Sequence, residues 1–131
     1  MIYLDTGVLV SALFLRDEKQ AKCQALITAD AVTSTHALAE TFATLTGQYR
    51  VKNDVVTEAV LSLAAALRVE TITRADYLNA LRSATERGVM GGIIYDALHA
   101  EVARRLAVAR IYTFNASNFQ HVARDLRIST P

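Results

Sequence analysis

The sequence predicts an α/β fold: one domain with a short parallel β-sheet of four to five strands and helices on both faces. Short apolar runs that suit buried strands alternate with longer segments whose apolar residues recur at helical spacing. Such alternation is typical of βαβ units, in which helices cover a parallel sheet. The chain has 131 residues, is 52% hydrophobic and contains no linker or internal repeat, so we expect residues 1–131 to form a single domain.

Each element has its own local signal. Strands are predicted over residues 2–4, 31–34, 69–72 and 110–114, with a further edge strand over 127–129. Helices are predicted over residues 8–15, 17–28, 35–49, 54–67, 74–87, 94–108 and 118–125. Gly88 ends the fifth of these helices, and polar N-caps begin three of them: Ser34 or Thr35, Asn53 or Asp54, and Thr73.

The composition excludes several classes of protein. The apolar runs are short and broken by charges, and the N-terminus lacks the features of a signal peptide, so we expect a cytoplasmic protein with no membrane segment. Cys23 is the only cysteine and cannot form an internal disulfide; we expect it to be a small buried residue.

Three carboxylates lie where a parallel sheet would gather them. Asp5 follows the first strand, and Glu40 and Asp96 lie near the starts of two helices. Residues just past the carboxyl ends of parallel strands converge on one crevice. Close carboxylates repel one another by about 4 kcal/mol per pair at an effective dielectric near 20, unless a cation or a proton intervenes. This pattern predicts a site for Mg²⁺ or Mn²⁺, because the chain lacks the Cys and His clusters that Zn²⁺ prefers.

Helical spacing alone does not direct Glu40 or Asp96 inward. Both lie on stripes of small residues, which favours close packing against neighbouring elements. The simpler interpretations are an exposed helix charge for Glu40 and, for Asp96, a first-turn carboxylate that complements the helix dipole.

The positive charge is concentrated in the second half of the chain. Residues 74–131 carry 8 Arg against 5 acidic residues, whereas residues 1–73 carry 6 basic against 8 acidic residues. Arginine suits bidentate contacts with phosphate. Candidates for contact with a nucleic-acid backbone, or otherwise for solvated helix faces, are Arg104, Arg105, Arg110, Arg124 and Arg127.

Three short motifs resemble those of a known nuclease family. Residues 3–9 (YLDTGVL) are similar to the opening strand and acidic residue of PIN domains, and residues 36–40 (HALAE) and 95–100 (YDALHA) are similar to their next two acidic helices. Over essentially the whole chain, their order and spacing resemble the small ribonuclease toxins of the VapC type. The resemblance implies metal-dependent cleavage of RNA phosphodiester bonds, a homodimer or higher even oligomer, and a small antitoxin protein as partner.

The resemblance also implies roles for individual residues. Asp5 and Asp96 would be direct metal ligands, and Glu40 would bind a metal-bound water or act as a base toward it. Thr6 and Thr113 are candidates to orient a ligand or a phosphate, although such hydroxyls more often serve caps and turns. The histidines are expected to be packing or surface residues: His36, His99 and His121.

The chain departs from the family at a fourth acidic position. Residues 113–119 (TFNASNF) contain no acid, so Asn115 or Asn118 would take that place, depending on the alignment. An amide can form hydrogen bonds there but adds no charge. We therefore expect one tight metal site and a second that is weak or depends on RNA.

Other functions agree with parts of the sequence. The Asp5-Thr6-Gly7 triplet matches aspartic proteases, but these need two such Asp residues on a β-rich scaffold. A receiver-type phosphoacceptor would need an Asp after the third strand, where this chain has Ile72-Thr73. The main alternative is a catalytically degraded PIN-like dimer that binds protein or RNA. Its groove for an antitoxin segment would be apolar and formed by Leu9, Leu13, Phe14, Leu61, Leu63 and Leu67.

Overall fold

A computed structural model describes residues 1–14 and 18–131 and contains a five-stranded, fully parallel β-sheet. The spatial order is β3-β2-β1-β4-β5, so the chain reverses its direction of sheet growth when it crosses from β3 to β4. Tyr3 pairs with Val32 on one side and with Ile111 on the other. The strands are β1 (Ile2–Leu4), β2 (Ala31–Ser34), β3 (Arg68–Glu70), β4 (Arg110–Tyr112) and β5 (Ile128–Ser129).

Seven α-helices connect these strands in the described ranges. They are α1 (Thr6–Leu13), α2 (Glu18–Ala25), α3 (Thr35–Ala43), α4 (Asn53–Ala66), α5 (Arg74–Ser83), α6 (Ile93–Arg105) and α7 (Ala116–Val122). A π-helical segment, Thr44–Gln48, continues α3. The predicted break between the first two helices, near residues 16 and 17, lies outside the described residues.

The sheet separates two apolar cores, because alternate side chains of a strand point to opposite faces. Tyr3 of β1 packs on one face with buried residues of α5, α6 and α7. Leu4, the next residue, packs on the other face with buried residues of α1, α2, α3 and α4. The predicted single α/β sheet with helices on both faces is therefore confirmed.

Two predicted caps are confirmed, and one is wrong. The Ser34 hydroxyl accepts a hydrogen bond from the Ala37 N–H (3.1 Å), and Thr73 forms a reciprocal capping box with Asp76. The start of α4 has no such cap: Lys52 holds the N-cap position and makes no side-chain cap bond.

Some element boundaries also differ from the prediction. β3 ends at Glu70, because the Thr71 carbonyl accepts from Arg105 Nη2 (2.9 Å) and the chain then enters the α5 cap. α5 ends at Ser83, and turns follow to Gly88, which has φ +65°. α7 begins two residues earlier than predicted, at Ala116, because the Asn115 carbonyl accepts from the Asn118 and Phe119 N–H groups.

The predicted apolar groove is mostly core. Leu9, Leu63 and Leu67 are buried in the cluster that also contains Cys23, whereas Phe14 and Leu61 are exposed. The six residues therefore do not share one open surface. Across the described ranges, no helix combines the length and the apolar character needed to cross a bilayer.

Candidate active site

Asp5 lies at the point where the strand order reverses, between the carboxyl ends of β1 and β4. Its backbone N–H donates to the Tyr112 carbonyl (3.1 Å), which joins it to the end of β4. Its carboxylate caps α1 by accepting from the Thr6 N–H (2.8 Å), and its other oxygen accepts from the Thr113 hydroxyl (2.7 Å). The side chain is buried and held from two strands, at the position where open α/β sheets bind ligands.

Glu40 reaches the same crevice from α3. Its Oε1 accepts hydrogen bonds from the Thr6 hydroxyl (3.0 Å) and lies 3.0 Å from His99 Nε2. Burial acts to raise the pKa of Glu40, but the hydrogen bond and charge of His99 and the bond from Thr6 outweigh it and lower the pKa. Glu40 therefore points inward and is held as a carboxylate.

Asp96 reaches the crevice from the first turn of α6. Its Oδ2 accepts a hydrogen bond from Asn118 Nδ2 (3.0 Å). Burial, together with the nearby charge of Asp5, raises the pKa of Asp96 from 3.8 to about 6. The hydrogen bond from Asn118 acts in the opposite direction but does not offset these effects. Asp96 is thus the carboxylate of the site whose negative charge is least compensated.

His99 lies behind the carboxylates and is 1% exposed. Its Nε2 is 3.0 Å from Glu40 Oε1 and 3.7 Å from Asp5 Oδ1, and its Nδ1 is 2.6 Å from the Tyr3 hydroxyl. Burial acts to lower the pKa of His99, but the hydrogen bond to Glu40 and the charges of Asp5, Glu40 and Asp96 raise it. His99 was predicted to be a packing or surface residue, although its position three residues after Asp96 places both on one side of α6.

A cavity of about 430 Å³ opens onto the carboxylates. Its acidic wall is formed by Asp5, Glu40 and Asp96. The rest of its lining is neutral, with hydroxyl and amide groups and two aromatic rings: Thr6, Gly7, Val10, Ser11, Thr44, Gln48, Tyr49, Phe114 and Asn115. Thr44 and Gln48 come from the π-helical segment, a geometry that often occurs at functional sites. Neither Thr44 nor Gln48 was predicted from the sequence to lie at the site.

Both asparagine candidates for the fourth acidic place lie at this site. Asn118 contacts Asp96 directly, and Asn115 lines the cavity at the start of α7. The Asn115 N–H donates to the Thr113 hydroxyl (2.9 Å), which in turn donates to Asp5. The Thr113 hydroxyl therefore connects the loop after β4 to the carboxylate after β1.

The donor chemistry fits a hard divalent cation held mainly by two carboxylates. Within residues 1–14 and 18–131, no group of three or more His, Cys, Asp and Glu side chains is arranged to hold a metal ion by itself. Mg²⁺ is usually bound by one or two carboxylates, with water and substrate phosphates completing its shell. The raised pKa of Asp96 beside Asp5 marks the place where a positive charge would relieve repulsion. Asp5 and Asp96 thus suit such an ion, and Glu40 is already engaged by His99 and Thr6.

The arginine candidates are not brought to the carboxylates. Arg104 and Arg105 lie at the opposite end of α6 from Asp96, about 12 Å away along the helix axis at 1.5 Å per residue. Arg104 pairs with Asp125 (2.7 Å), and Arg105 pairs with Asp76 (3.1 Å). Arg110 lies at the amino end of β4, opposite the strand ends that carry the carboxylates, and donates to the Ser129 hydroxyl (2.6 Å). Their contact with RNA, like that of the exposed Arg124, stays a prediction.

The chain belongs to the PIN domain family, because the sequence profile of that domain matches residues 2–125. No curated protein matches the chain in a sequence search. Solved structures with the same fold include VapC20 from Mycobacterium tuberculosis, described as a toxin that cleaves the sarcin-ricin loop. It is 20% identical, with a TM-score of 0.73 over 92% of this chain and 94% of that one.

Two toxin–antitoxin complexes show the same structural similarity. VapBC2 from Rickettsia felis, bound to a promoter DNA fragment, is 19% identical with a TM-score of 0.74 over 100% of this chain and 99% of that one. VapBC-1 from nontypeable Haemophilus influenzae is 22% identical with a TM-score of 0.70 over 99% and 98%. The structural relatives of this PIN domain thus include VapC toxins.

Proposed function

We propose that this protein is an endoribonuclease toxin of a toxin–antitoxin pair that hydrolyses RNA phosphodiester bonds with Mg²⁺ or Mn²⁺. The observation that carries the proposal is the convergence of Asp5, Glu40 and Asp96 on one cavity at the switch point of the sheet. Family membership and the VapC structures with the same fold support the same class of reaction. The proposal includes a small antitoxin as partner, a homodimer or higher even oligomer, and a cytoplasmic location.

Asp5 and Asp96 would hold the cation, with one tight site and a second that is weak or depends on RNA. When bound, the cation supplies Lewis-acid activation of water and of the phosphoryl group. Two fixed donors prevent the Asp5 carboxylate from rotating: the Thr6 N–H and the Thr113 hydroxyl. Asn118 fixes one oxygen of Asp96 in the same way. The chain thereby holds both proposed ligands in place before an ion binds.

Glu40 would orient the attacking water or accept its proton. Its lowered pKa keeps it ionised at neutral pH, so its oxygens can accept a hydrogen bond or a proton from water. The neutral part of the lining, which includes the Tyr49 and Phe114 rings, gives surfaces on which unpaired bases can stack. Such contacts would help to position RNA beside carboxylates that repel its phosphates.

The alternative is a catalytically degraded PIN-like dimer that binds protein or RNA. One observation favours it: the N-cap and first turn of α7 offer amides, from Asn115 and Asn118, where a further carboxylate would strengthen a metal site. The two proposals differ in one measurable property, which is cleavage of RNA in the presence of a divalent ion.

The test uses purified, partner-free protein with a hairpin that carries the sarcin-ricin loop and with an unstructured RNA, in Mg²⁺ or Mn²⁺, with and without chelator. Asp5→Asn and Asp96→Asn retain side-chain volume and are expected to lose at least about 100-fold in kcat. Asp76→Asn is the matched control, because it also removes a buried carboxylate but lies outside the cavity. Metal-dependent cleavage lost only in the first two variants supports the nuclease. A folded wild-type protein that cuts neither RNA, while it still binds RNA or an antitoxin peptide, supports the degraded module.

A further inference from the structure

We propose that His99 is a positioning residue that holds Glu40 in its working orientation through a hydrogen bond from Nε2, with the ring itself held by Tyr3. This inference rests on the proposed function, in which Glu40 acts on the attacking water. It assigns to His99 a role that the family resemblance did not imply.

His99 is placed to act through Glu40 and not on the substrate. The imidazole is 1% exposed and does not line the cavity, whereas Glu40 does. The contact between His99 and Glu40 joins α6 to α3 across 59 residues of sequence, at 3.0 Å. His99 therefore connects the buried core to a side chain that lines the cavity.

The hydrogen-bond partners of the imidazole determine whether Nε2, the nitrogen that faces Glu40, carries a proton. Nδ1 lies 2.6 Å from the Tyr3 hydroxyl and 3.4 Å from the Ser34 hydroxyl. A phenol carries its proton at neutral pH, so the Tyr3 hydroxyl can donate to Nδ1 across this short contact. A neutral ring that accepts at Nδ1 carries its proton on Nε2. A doubly protonated ring also carries a proton on Nε2, so Glu40 receives a donor in both states.

The contacts of Glu40 show what this arrangement achieves. The hydroxyl of Thr6 and the Nε2 atoms of His99 and His36 all approach Oε1, at 3.0, 3.0 and 3.3 Å. His36 Nε2 forms no aligned hydrogen bond there. Thr6 and His99 thus hold one oxygen from two directions, and the second oxygen, Oε2, is the one that can accept a hydrogen bond from a water. Without His99, the Thr6 bond alone would leave the carboxylate free to turn about it.

A double-mutant cycle tests whether His99 acts through Glu40. His99→Leu is expected to lower kcat on RNA by about 10- to 100-fold, with KM changed less than about twofold, because the substrate contacts stay in place. His99→Gln retains an amide donor and should recover most of this loss. In a Glu40→Gln background, His99→Leu should lower kcat by less than about a further twofold. His121→Gln, a histidine on exposed α7 surface, is the matched control.

Losses that multiply in the double variant would overturn the proposal, since they would show that His99 acts independently of Glu40. A His99→Gln variant as impaired as His99→Leu, in a folded protein, would also overturn it. If His99→Leu does not fold, Tyr3→Phe serves in its place: it retains the ring but removes the donor to Nδ1. This variant is expected to lower kcat by a smaller factor, and that loss should also vanish in the Glu40→Gln background.

A spectroscopic measurement is independent of activity. Ring ¹⁵N–¹H correlation spectra of the wild type, with His99→Gln to identify the signals, should show His99 protonated on Nε2. A neutral ring protonated on Nδ1 would overturn the proposal, even in an active enzyme. A wild type that shows the Nε2 proton but cleaves no RNA would contradict the proposed function and leave the hydrogen bond standing.

Discussion

The carboxylates at the two ends of α6 differ in whether nearby side chains offset their charge. At its N-terminal end, burial and the charge of Asp5 raise the pKa of Asp96 to about 6. At its C-terminal end, Arg105 pairs with Asp76, and although burial opposes ionisation there too, this pairing and the Thr73 cap lower the pKa of Asp76. Arg104 likewise lowers the pKa of Asp125. The carboxylates that contact the C-terminal end of α6 are therefore compensated by arginine, whereas Asp96 at its N-terminal end is not.

This difference distinguishes carboxylates that stabilise the fold from carboxylates that are typical of functional sites. A buried carboxylate that has a guanidinium partner and capping bonds stabilises the fold. A buried carboxylate beside another, without a cation of the chain to neutralise both, destabilises the fold, and such perturbed groups cluster at functional sites. Charge at the C-terminal end of α6 thus stabilises the fold, whereas in the proposed function the charge of Asp96 at the N-terminal end is offset by a bound cation.

The largest expected effect on stability comes from the compensated end. Asp76→Ala removes the acceptor of the Thr73 N–H (2.9 Å) and the partner of Arg105. We expect the free energy of unfolding to fall by about 2–3 kcal/mol, from the lost cap and the lost charge-assisted hydrogen bonds. Urea denaturation followed by circular dichroism measures this. Cleavage per folded molecule should be unchanged, and a change of less than about 0.5 kcal/mol would show that the pair contributes only surface electrostatics.

The second prediction concerns pH, where the two ends have opposite signs. Asp96 binds a proton more tightly when folded, so its contribution to stability falls as pH rises from about 4 through about 6. Asp76 binds a proton less tightly when folded, so its contribution is present above the ordinary carboxyl pKa and is lost as pH falls through the lowered one. Without metal, Asp96→Asn should therefore be more stable than wild type above pH 6 by several degrees in Tm.

The control for this prediction is Asp76→Asn, which should be less stable than wild type at the same pH. Its deficit should shrink as pH falls below 4 toward the lowered pKa of Asp76, where the carboxylate of the folded wild type becomes protonated too. Thermal unfolding from pH 3 to 8, in chelator, records both curves. An Asp96→Asn variant less stable than wild type at neutral pH would mean that Asn118 and the helix dipole already compensate this charge.

The features that could be predicted from the sequence depend on backbone topology and on local capping. Asp5 and Thr113 could be placed together because each follows one of two adjacent parallel strands. The Ser34 and Thr73 caps could be predicted from residue type and position alone. Alternation of short strands with helices was likewise sufficient for the sheet and its two helical layers.

The rest depends on contacts between elements that are distant in sequence. Helical spacing left Glu40 undecided because its direction is set by His99, 59 residues away. The same holds for Arg105, which pairs with Asp76, 29 residues away. Composition alone showed an excess of arginine, but the partners that neutralise it could not be inferred without the packing of α5, α6 and α7.

The third prediction concerns a divalent cation that would offset the charge of Asp5 and Asp96. Mg²⁺ or Mn²⁺ at about ten times its dissociation constant should stabilise the wild-type fold by about 1.4 kcal/mol, because it binds the folded state. The shift should be larger at pH 7.5 than at pH 5, where protonated Asp96 competes with the ion. Asp5→Asn and Asp96→Asn should lose the shift, whereas Asp76→Asn should retain it. Equal shifts in all four proteins would place the ion elsewhere on the chain.

The smallest expected effect concerns the arginines, and it tests whether their charge has any share in RNA binding. Arg104 is already paired with Glu101 and Asp125, so Arg104→Ala should change KM for RNA by less than about twofold while it lowers stability. Arg124 is exposed, so Arg124→Ala should leave stability unchanged. If Arg124 contacts phosphate, this variant reduces the slope of log KM against log salt by about one, and a cleavage assay across a salt series measures that slope. An unchanged slope for Arg124→Ala, together with an unchanged KM for Arg104→Ala, would show that neither arginine contributes to RNA binding. Arg104 would then serve only the stability of the fold. A reduced slope would extend the RNA path from the carboxylates to Arg124, just after α7, with the ion contacting one part of the substrate and arginine another.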